Sequence, residues 1–142
     1  MFAAMPLLAL PVIIYNLIGL TLEGGLSAID ATTRMNERLF NIRMPSNVDW
    51  PVSLGDLLLA VSLVVLFIEL LKSTTSRRIA IVNHSLSMIL FILCLVEFLL
   101  APVCATSTFF LLTLMVLLDV LAGFIVTIVS ARRDMDFTTD NG

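Results

Sequence analysis

Five ionisable side chains interrupt otherwise apolar stretches of this chain: Asp56, Glu69, His84, Glu97 and Asp119. Carboxylates and an imidazole inside apolar runs are the material of proton relays and cation paths, and histidine changes charge near neutral pH. Position within each run gives an approximate depth. Asp56 and Glu97 fall a few residues from one boundary, Glu69 and His84 a few residues from the other, and Asp119 near the middle of its run. Antiparallel packing would therefore bring Asp56 level with Glu97, and Glu69 level with His84. A stepwise path would lead from the outer carboxylates through Asp119 to the Glu69–His84 pair. Each residue also has a plainer reading. Glu69 stands three residues before Lys72 and can pair with it along the helix surface or reach the interface. Asp56 follows Gly55 near a helix start, where an acid helps to cap it. His84 is close enough to its boundary to reach headgroups or a backbone carbonyl. Glu97 and Asp119 are the two least easily explained in this way, although polar residues also hold membrane helices together.

The elements that position these groups are four apolar runs, at 2–22, 52–71, 79–101 and 107–130. At ~1.5 Å per helical residue each is long enough to cross a ~30 Å hydrocarbon layer. Apolar residues form 59% of the 142-residue chain and charged ones 13%, with a mean hydropathy of +1.07. A soluble domain of this size could not hide so much apolar surface from water, so the lipid bilayer is the expected partner. The first run lacks a basic leader, contains Pro6 and Pro11, and ends without a small-x-small cleavage pattern, so it reads as a retained span rather than a signal peptide. The fold class expected is therefore an all-α integral membrane protein, a single domain built as an antiparallel bundle of four transmembrane helices.

Positive charge sets the orientation. Lys72, Arg77 and Arg78 lie between the second and third runs, and Arg132 and Arg133 follow the fourth, whereas the connection 102–106 is uncharged. Both termini are expected in the cytoplasm, with a long outer loop at 23–51 and a short polar, mobile tail at 131–142. Gly24 and Gly25 suit the end of the first span and Pro51 the start of the second. Pro102 ends the third, and Ser107 or Thr108 can cap the fourth.

In the outer loop, residues 26–39 carry Leu26, Ile29, Met35 and Leu39 at spacings that suit a short amphipathic helix. Beyond them Phe40, Ile42 and Met44 alternate, Pro45-Ser46-Asn47 breaks the run, and Val48, Trp50 and Val52 alternate again. Period-two apolar residues around such a breaker read as a β-hairpin. The alternative is an irregular loop whose Trp50 anchors at the membrane interface. A lone hairpin is marginal in water, so neighbouring subunits are the simplest cover for its edges.

Each helix also has a face suited to protein contact. Asp119, Gly123, Thr127 and Ala131 recur every four residues on the fourth run, and Gly55, Ser62 and Glu69 every seven on the second. His84, Ser87, Phe91, Cys94 and Phe98 form a stripe on the third, and Asn16, Gly19 and Glu23 share a face on the first. The opposite faces are Leu, Val, Ile and Phe, suited to lipid.

Several functions lack their residues. One histidine excludes a multi-histidine metal site, and no phosphate-binding loop, dinucleotide fingerprint, nucleophile elbow or haem motif occurs. Cys94 and Cys104, ten residues apart, would stand ~15 Å from one another on a continuous helix, beyond disulfide reach. No catalytic residue, cofactor or metal is assigned, and the chain is not read as an enzyme. A net charge of −3 spread over the loops argues against a nucleic-acid partner.

The stretch from Ser53-Leu-Gly-Asp through Glu69-Leu-Leu-Lys72, and that from Ala105-Thr-Ser-Thr-Phe-Phe through Leu118-Asp-Val-Leu-Ala-Gly-Phe124, resemble small four-span inner-membrane proteins of alphaproteobacteria. The resemblance covers most of the second to fourth runs. It implies a multi-pass protein of the bacterial inner (cytoplasmic) membrane and carries no activity or functional residue with it. Three functions follow as expectations: a self-associating structural or scaffold protein; a proton- or cation-conducting subunit centred on Asp119, Glu97 and His84; or an accessory subunit of a larger membrane complex. The first and third imply a homo-oligomer or a membrane-complex partner.

Overall fold

The structure, a computed structural model, describes residues 5–21, 27–73 and 77–139, with side chains described except at 73, 77–81, 126–127 and 129–139. In chain order these residues form α1 (Ala9–Leu20), α2 (Ala28–Met35), strands β1 (Arg38–Arg43) and β2 (Asp49–Ser53), α3 (Leu54–Ser73), α4 (Arg77–Leu100), a 3-10 turn (Pro102–Cys104) and α5 (Ser107–Thr139). Among the described residues three helices hold segments long and apolar enough to cross a membrane: Leu54–Lys72, Val82–Leu100 and Ser107–Ile125.

The first apolar run gives a shorter helix than its length suggests. α1 has 12 residues and reaches only ~18 Å along its axis; the start of the expected span and the Gly24-Gly25 stop lie outside the described residues. Pro11 explains where α1 begins. Proline has no N–H to donate and is tolerated only in a first turn, so a helix starting at Ala9 is the one that keeps Pro11 near its N-terminus.

α3 starts at Leu54 rather than at Pro51, because Pro51 belongs to β2, opposite Asn41. The start is fixed by a reciprocal cap. The Asp56 backbone N–H donates to Ser53 Oγ (3.1 Å), and the Ser53 N–H donates to the Asp56 carboxylate (3.0 Å). This is the Ser-x-x-acid capping box. α4 ends at Leu100, before Pro102. α5 is capped one residue earlier than expected, by Thr106, whose Oγ1 accepts from the Phe109 N–H (3.1 Å). α5 then runs to Thr139, taking in most of the segment expected as a mobile tail; no glycine or proline interrupts it after Gly123.

The hairpin reading of the segment between the first two apolar runs is the one the structure adopts, preceded by the expected short helix as α2. β1 and β2 pair antiparallel, with Phe40 opposite Val52 and Ile42 opposite Trp50. The Asn47 N–H donates to the Met44 carbonyl (2.9 Å) and the Met44 N–H to the Val48 carbonyl (2.9 Å). Asn47 closes this three-residue loop at φ 61°, the left-handed region that asparagine tolerates well. Phe40, Ile42, Met44, Val48 and Trp50 thereby share one face, and all five are exposed.

α5 is the central helix. It packs along both α4 and α3, which touch one another far less than either touches α5. The core joins Leu8, Val12 and Tyr15 of α1 to Leu58 and Leu66 of α3, Cys94 of α4, and Phe109, Leu112 and Val116 of α5. Outward faces are apolar and exposed, among them Val61, Val64 and Phe67 on α3 and Ile89, Ile92 and Val96 on α4. That distribution suits lipid as solvent.

Candidate functional site

The five interrupting residues separate into four different environments. Asp56 is exposed and belongs to the cap of α3. It does not meet Glu97, whose carboxylate instead accepts from Asn16 Nδ2 (3.1 Å). The expected level pair is replaced by two separate local partnerships, because α1 and not α3 presents the amide that Glu97 needs.

Glu69 is fully buried, contrary to the reading in which it reaches the interface or pairs with Lys72. Its carboxylate accepts from the backbone N–H groups of Leu7 (3.0 Å) and Leu8 (3.0 Å) and from Asn83 Nδ2 (3.1 Å). The physical reason lies in α1. A helix N-terminus leaves unpaired N–H groups and a partial positive charge, and Leu8 at the cap position offers no side-chain acceptor. Glu69 supplies one from 61 residues away. Lys72 is drawn to the same chain end, where its Nζ donates to the Met5 carbonyl (3.1 Å).

The opposite end of α1 is tied as firmly. The Tyr15 hydroxyl donates to the Val103 carbonyl (2.9 Å) and lies 2.5 Å from Thr106 Oγ1. A phenol has one proton, so Thr106 donates to Tyr15 and accepts from Phe109. Gly19 rests on Val103, where a Cβ would come within 2.9 Å of a methyl group. The same turn folds Cys104 back toward Glu97 and Cys94, so the continuous-helix separation does not apply. Both thiols are free and buried. Burial and the nearby Glu97 push the Cys104 thiol up to about 11, which keeps it neutral and unreactive.

The remaining cluster lies between α3, α4 and α5. Asp119 is buried on α5, with Glu69, His84 and Lys72 within electrostatic range and Ser87 beside its carboxyl. Ser87 is fully buried, and its Oγ makes no hydrogen bond of good geometry even to this neighbour. One turn away on the same face of α4, Asn83 uses its amide nitrogen on Glu69 and leaves Oδ1 without a partner. Both ring nitrogens of His84 are buried and also without partners. The ring stands edge-on to Phe124, with centroids 4.5 Å apart, and presses on Gly123, where a Cβ would lie 2.7 Å from its Cγ. His84 and Glu69 thus share a neighbourhood but not a bond; Asn83 takes the place expected for His84.

The small and polar contact faces are consumed inside the chain. Gly123 accommodates His84, and Gly55 sits against Thr108 and Met35. The Ser62 hydroxyl donates to the Leu58 carbonyl of its own helix (2.6 Å), while Asn16 bonds to Glu97 of α4 and Gly19 rests on Val103 of the α4–α5 connection. Thr127 has its side chain outside the described residues, and Glu23 lies outside them altogether. Among the described residues no group of three or more His, Cys, Asp or Glu side chains could hold a metal ion.

Sequence alone pointed to Asp119 and His84 and placed Ser87 on the contact stripe of its run, but missed Asn83. Its signal was available as the four-residue spacing from Asn83 to Ser87 on α4. Compared with protein families, curated proteins and solved structures, the chain matches none.

Proposed function

We propose that this chain is a proton- or cation-handling protein of a bacterial inner membrane, acting through the Asp119–Ser87–His84–Asn83 cluster. The observation that carries this reading is the set of four buried polar atoms without partners, on Asn83, Ser87 and both nitrogens of His84, gathered around a buried carboxyl. Buried polar groups are nearly always satisfied, and leaving one unpaired costs about 1–3 kcal/mol. A set of them around an acid is the arrangement of a group that binds or passes something on. α1 completes the bundle as its fourth member, since Glu69 holds one of its ends and the 102–106 connection holds the other. The basic residues at 72–78 and 132–133 put both termini in the cytoplasm, with the hairpin outside.

The direct test is proton or cation flux in liposomes. Wild type should conduct, and Asp119→Asn, which keeps shape but removes the titratable acid, should lower the rate by at least about tenfold. Equal flux in both proteins, or none in either, sinks this reading.

A second reading, a self-associating structural protein, is favoured by the exposed apolar face of the hairpin. Phe40, Ile42, Met44, Val48 and Trp50 are each 41–62% exposed, and a contiguous patch of this kind marks an interaction surface. Particle size in mild detergent decides it. Association that is lost in Ile42→Ser/Trp50→Ser supports self-association through the hairpin. A wild type that stays monomeric removes the reading and leaves a larger membrane complex as the remaining context for that face.

A further inference from the structure

We propose that the apolar face of the hairpin is covered by lipid, as an anchor lying in the interfacial layer of the membrane that α3 crosses, rather than by a second copy or a complex partner.

The first argument is position. β2 ends at Ser53 and the membrane-crossing stretch of α3 begins at Leu54, with no residue between them. The start of β1 is held at the same level, because the Leu54 N–H donates to the Glu37 carbonyl (3.0 Å). Trp50 stands four residues before Leu54, so at the rise of an extended strand it lies within ~13 Å of that stretch. α2 lies against the start of α3 and the 102–104 turn and covers that end of the bundle. Phe40, Ile42, Met44, Val48 and Trp50 are left exposed beside it.

The second argument is sidedness. Arg43 pairs with Asp49 and Asn41 with Pro51, so polar side chains take the face opposite the apolar one. An element built this way lies in the plane of the interface, the level at which tryptophan is enriched. The backbone limits the depth. A two-stranded sheet has an outer edge of unpaired N–H and C=O groups on each strand, and hydrocarbon cannot satisfy them. The strands therefore stay among the headgroups, and only their apolar side chains reach the acyl chains. Hairpin and interface anchor, alternatives in the sequence, become one arrangement.

The third argument is size. Five half-exposed side chains present on the order of 500 Å2, short of the about 800 Å2 per partner of a standard protein interface. Lipid sets no such minimum. Three basic residues face three acidic ones between 27 and 53, so apolar contact, and not attraction to anionic headgroups, carries the attachment.

Trp50 is the only tryptophan of the sequence, so fluorescence of the full chain in phosphatidylcholine vesicles reports on the hairpin alone. With iodide on both sides of the membrane, we expect blue-shifted emission and weak iodide quenching. Lipid brominated near the headgroup end of its acyl chains should quench strongly, and lipid brominated near the chain ends less. Phe40→Ser/Ile42→Ser removes apolar neighbours of Trp50 and leaves the fluorophore in place; its emission should move to the red, with bromolipid quenching lost and iodide quenching gained. Strong iodide quenching of wild type without bromolipid quenching overturns the anchor and leaves the face in water. Protection from both quenchers also overturns it, in favour of a second copy on the same face. Bromolipid quenching that requires added anionic lipid, or that the double variant retains, sinks the apolar contact. The wild-type pattern alone separates lipid, water and protein, so a variant that fails to fold leaves the test decisive. Flux through the Asp119 cluster is a separate measurement, and neither result decides the other.

Discussion

Glu69→Ala should be the most damaging single substitution on α3, lowering stability by about 2–5 kcal/mol. Three N–H groups lose their acceptor at once: those of Leu7 and Leu8 and the Asn83 amide. The Leu8 N–H and the Asn83 amide cannot recover it from solvent, because both residues are buried. The truncated side chain also leaves a cavity beside the start of α1. Glu69→Gln distinguishes a charge effect from a hydrogen-bonding effect. A glutamine carbonyl in place of Oε1 still accepts from Leu7 and Asn83, but its amide nitrogen would face the Leu8 N–H, donor against donor. The loss should therefore be smaller than for alanine but not zero. Thermal unfolding in detergent gives the ranking, and proteolysis near residues 5–8 should rise in the same order. If alanine and glutamine behave alike, the anchoring of α1 does not rest on these hydrogen bonds.

Glu69 also shows where a sequence stops being informative. Its only charged neighbour in the chain is Lys72, three residues on, and helix geometry makes that pairing plausible. Two of its three partners are 61 and 62 residues away and the third is 14, and no local pattern announces a carboxylate that caps another helix. Residues whose partners are local were more legible. Ser53 and Asp56 carry the three-residue spacing of a capping box, and the alternation of Phe40–Met44 with Val48–Val52 around Pro45-Ser46-Asn47 specifies a hairpin and its turn. The apolar runs located α3, α4 and the start of α5 to within a few residues, because length and hydropathy are local properties, whereas α5 continues past its run to Thr139. They overstated α1, since a run of apolar residues does not reveal that Pro11 must fall in a first turn. The order of packing was also hidden. Short connections made α3 and α4 natural neighbours, yet α5 lies against both, because its inward face offers the complementary surface. Asp119 was placed correctly against protein by the small residues in its phase, but the identity of its neighbours, Ser87 above all, is a tertiary fact.

The contact between Gly123 and His84 makes the second large effect a conditional one. Gly123→Ala places a Cβ 2.7 Å from His84 Cγ and 3.0 Å from Cε1. Those atoms belong to a ring held at its root, so a small end-of-chain adjustment cannot relieve the overlap. Phe124 occupies the adjoining space. Overpacking of this kind costs about 1–3 kcal/mol, partly offset by the ~0.5–1 kcal/mol that alanine gains over glycine within a helix. In wild type the net result should be destabilising. In a His84→Ala background the obstacle is gone while the helical gain remains, so the same Gly123→Ala change should become neutral or stabilising by up to about 1 kcal/mol. Unfolding of the four proteins of this cycle measures the coupling directly. Equal effects in the two backgrounds would show that the imidazole does not rest on Gly123. Flux adds a functional reading to the same cycle: Gly123→Ala displaces the imidazole without removing any titratable group. Lower flux in that variant, at unchanged Asp119, would identify the position of His84, and not merely its presence, as what the cluster requires.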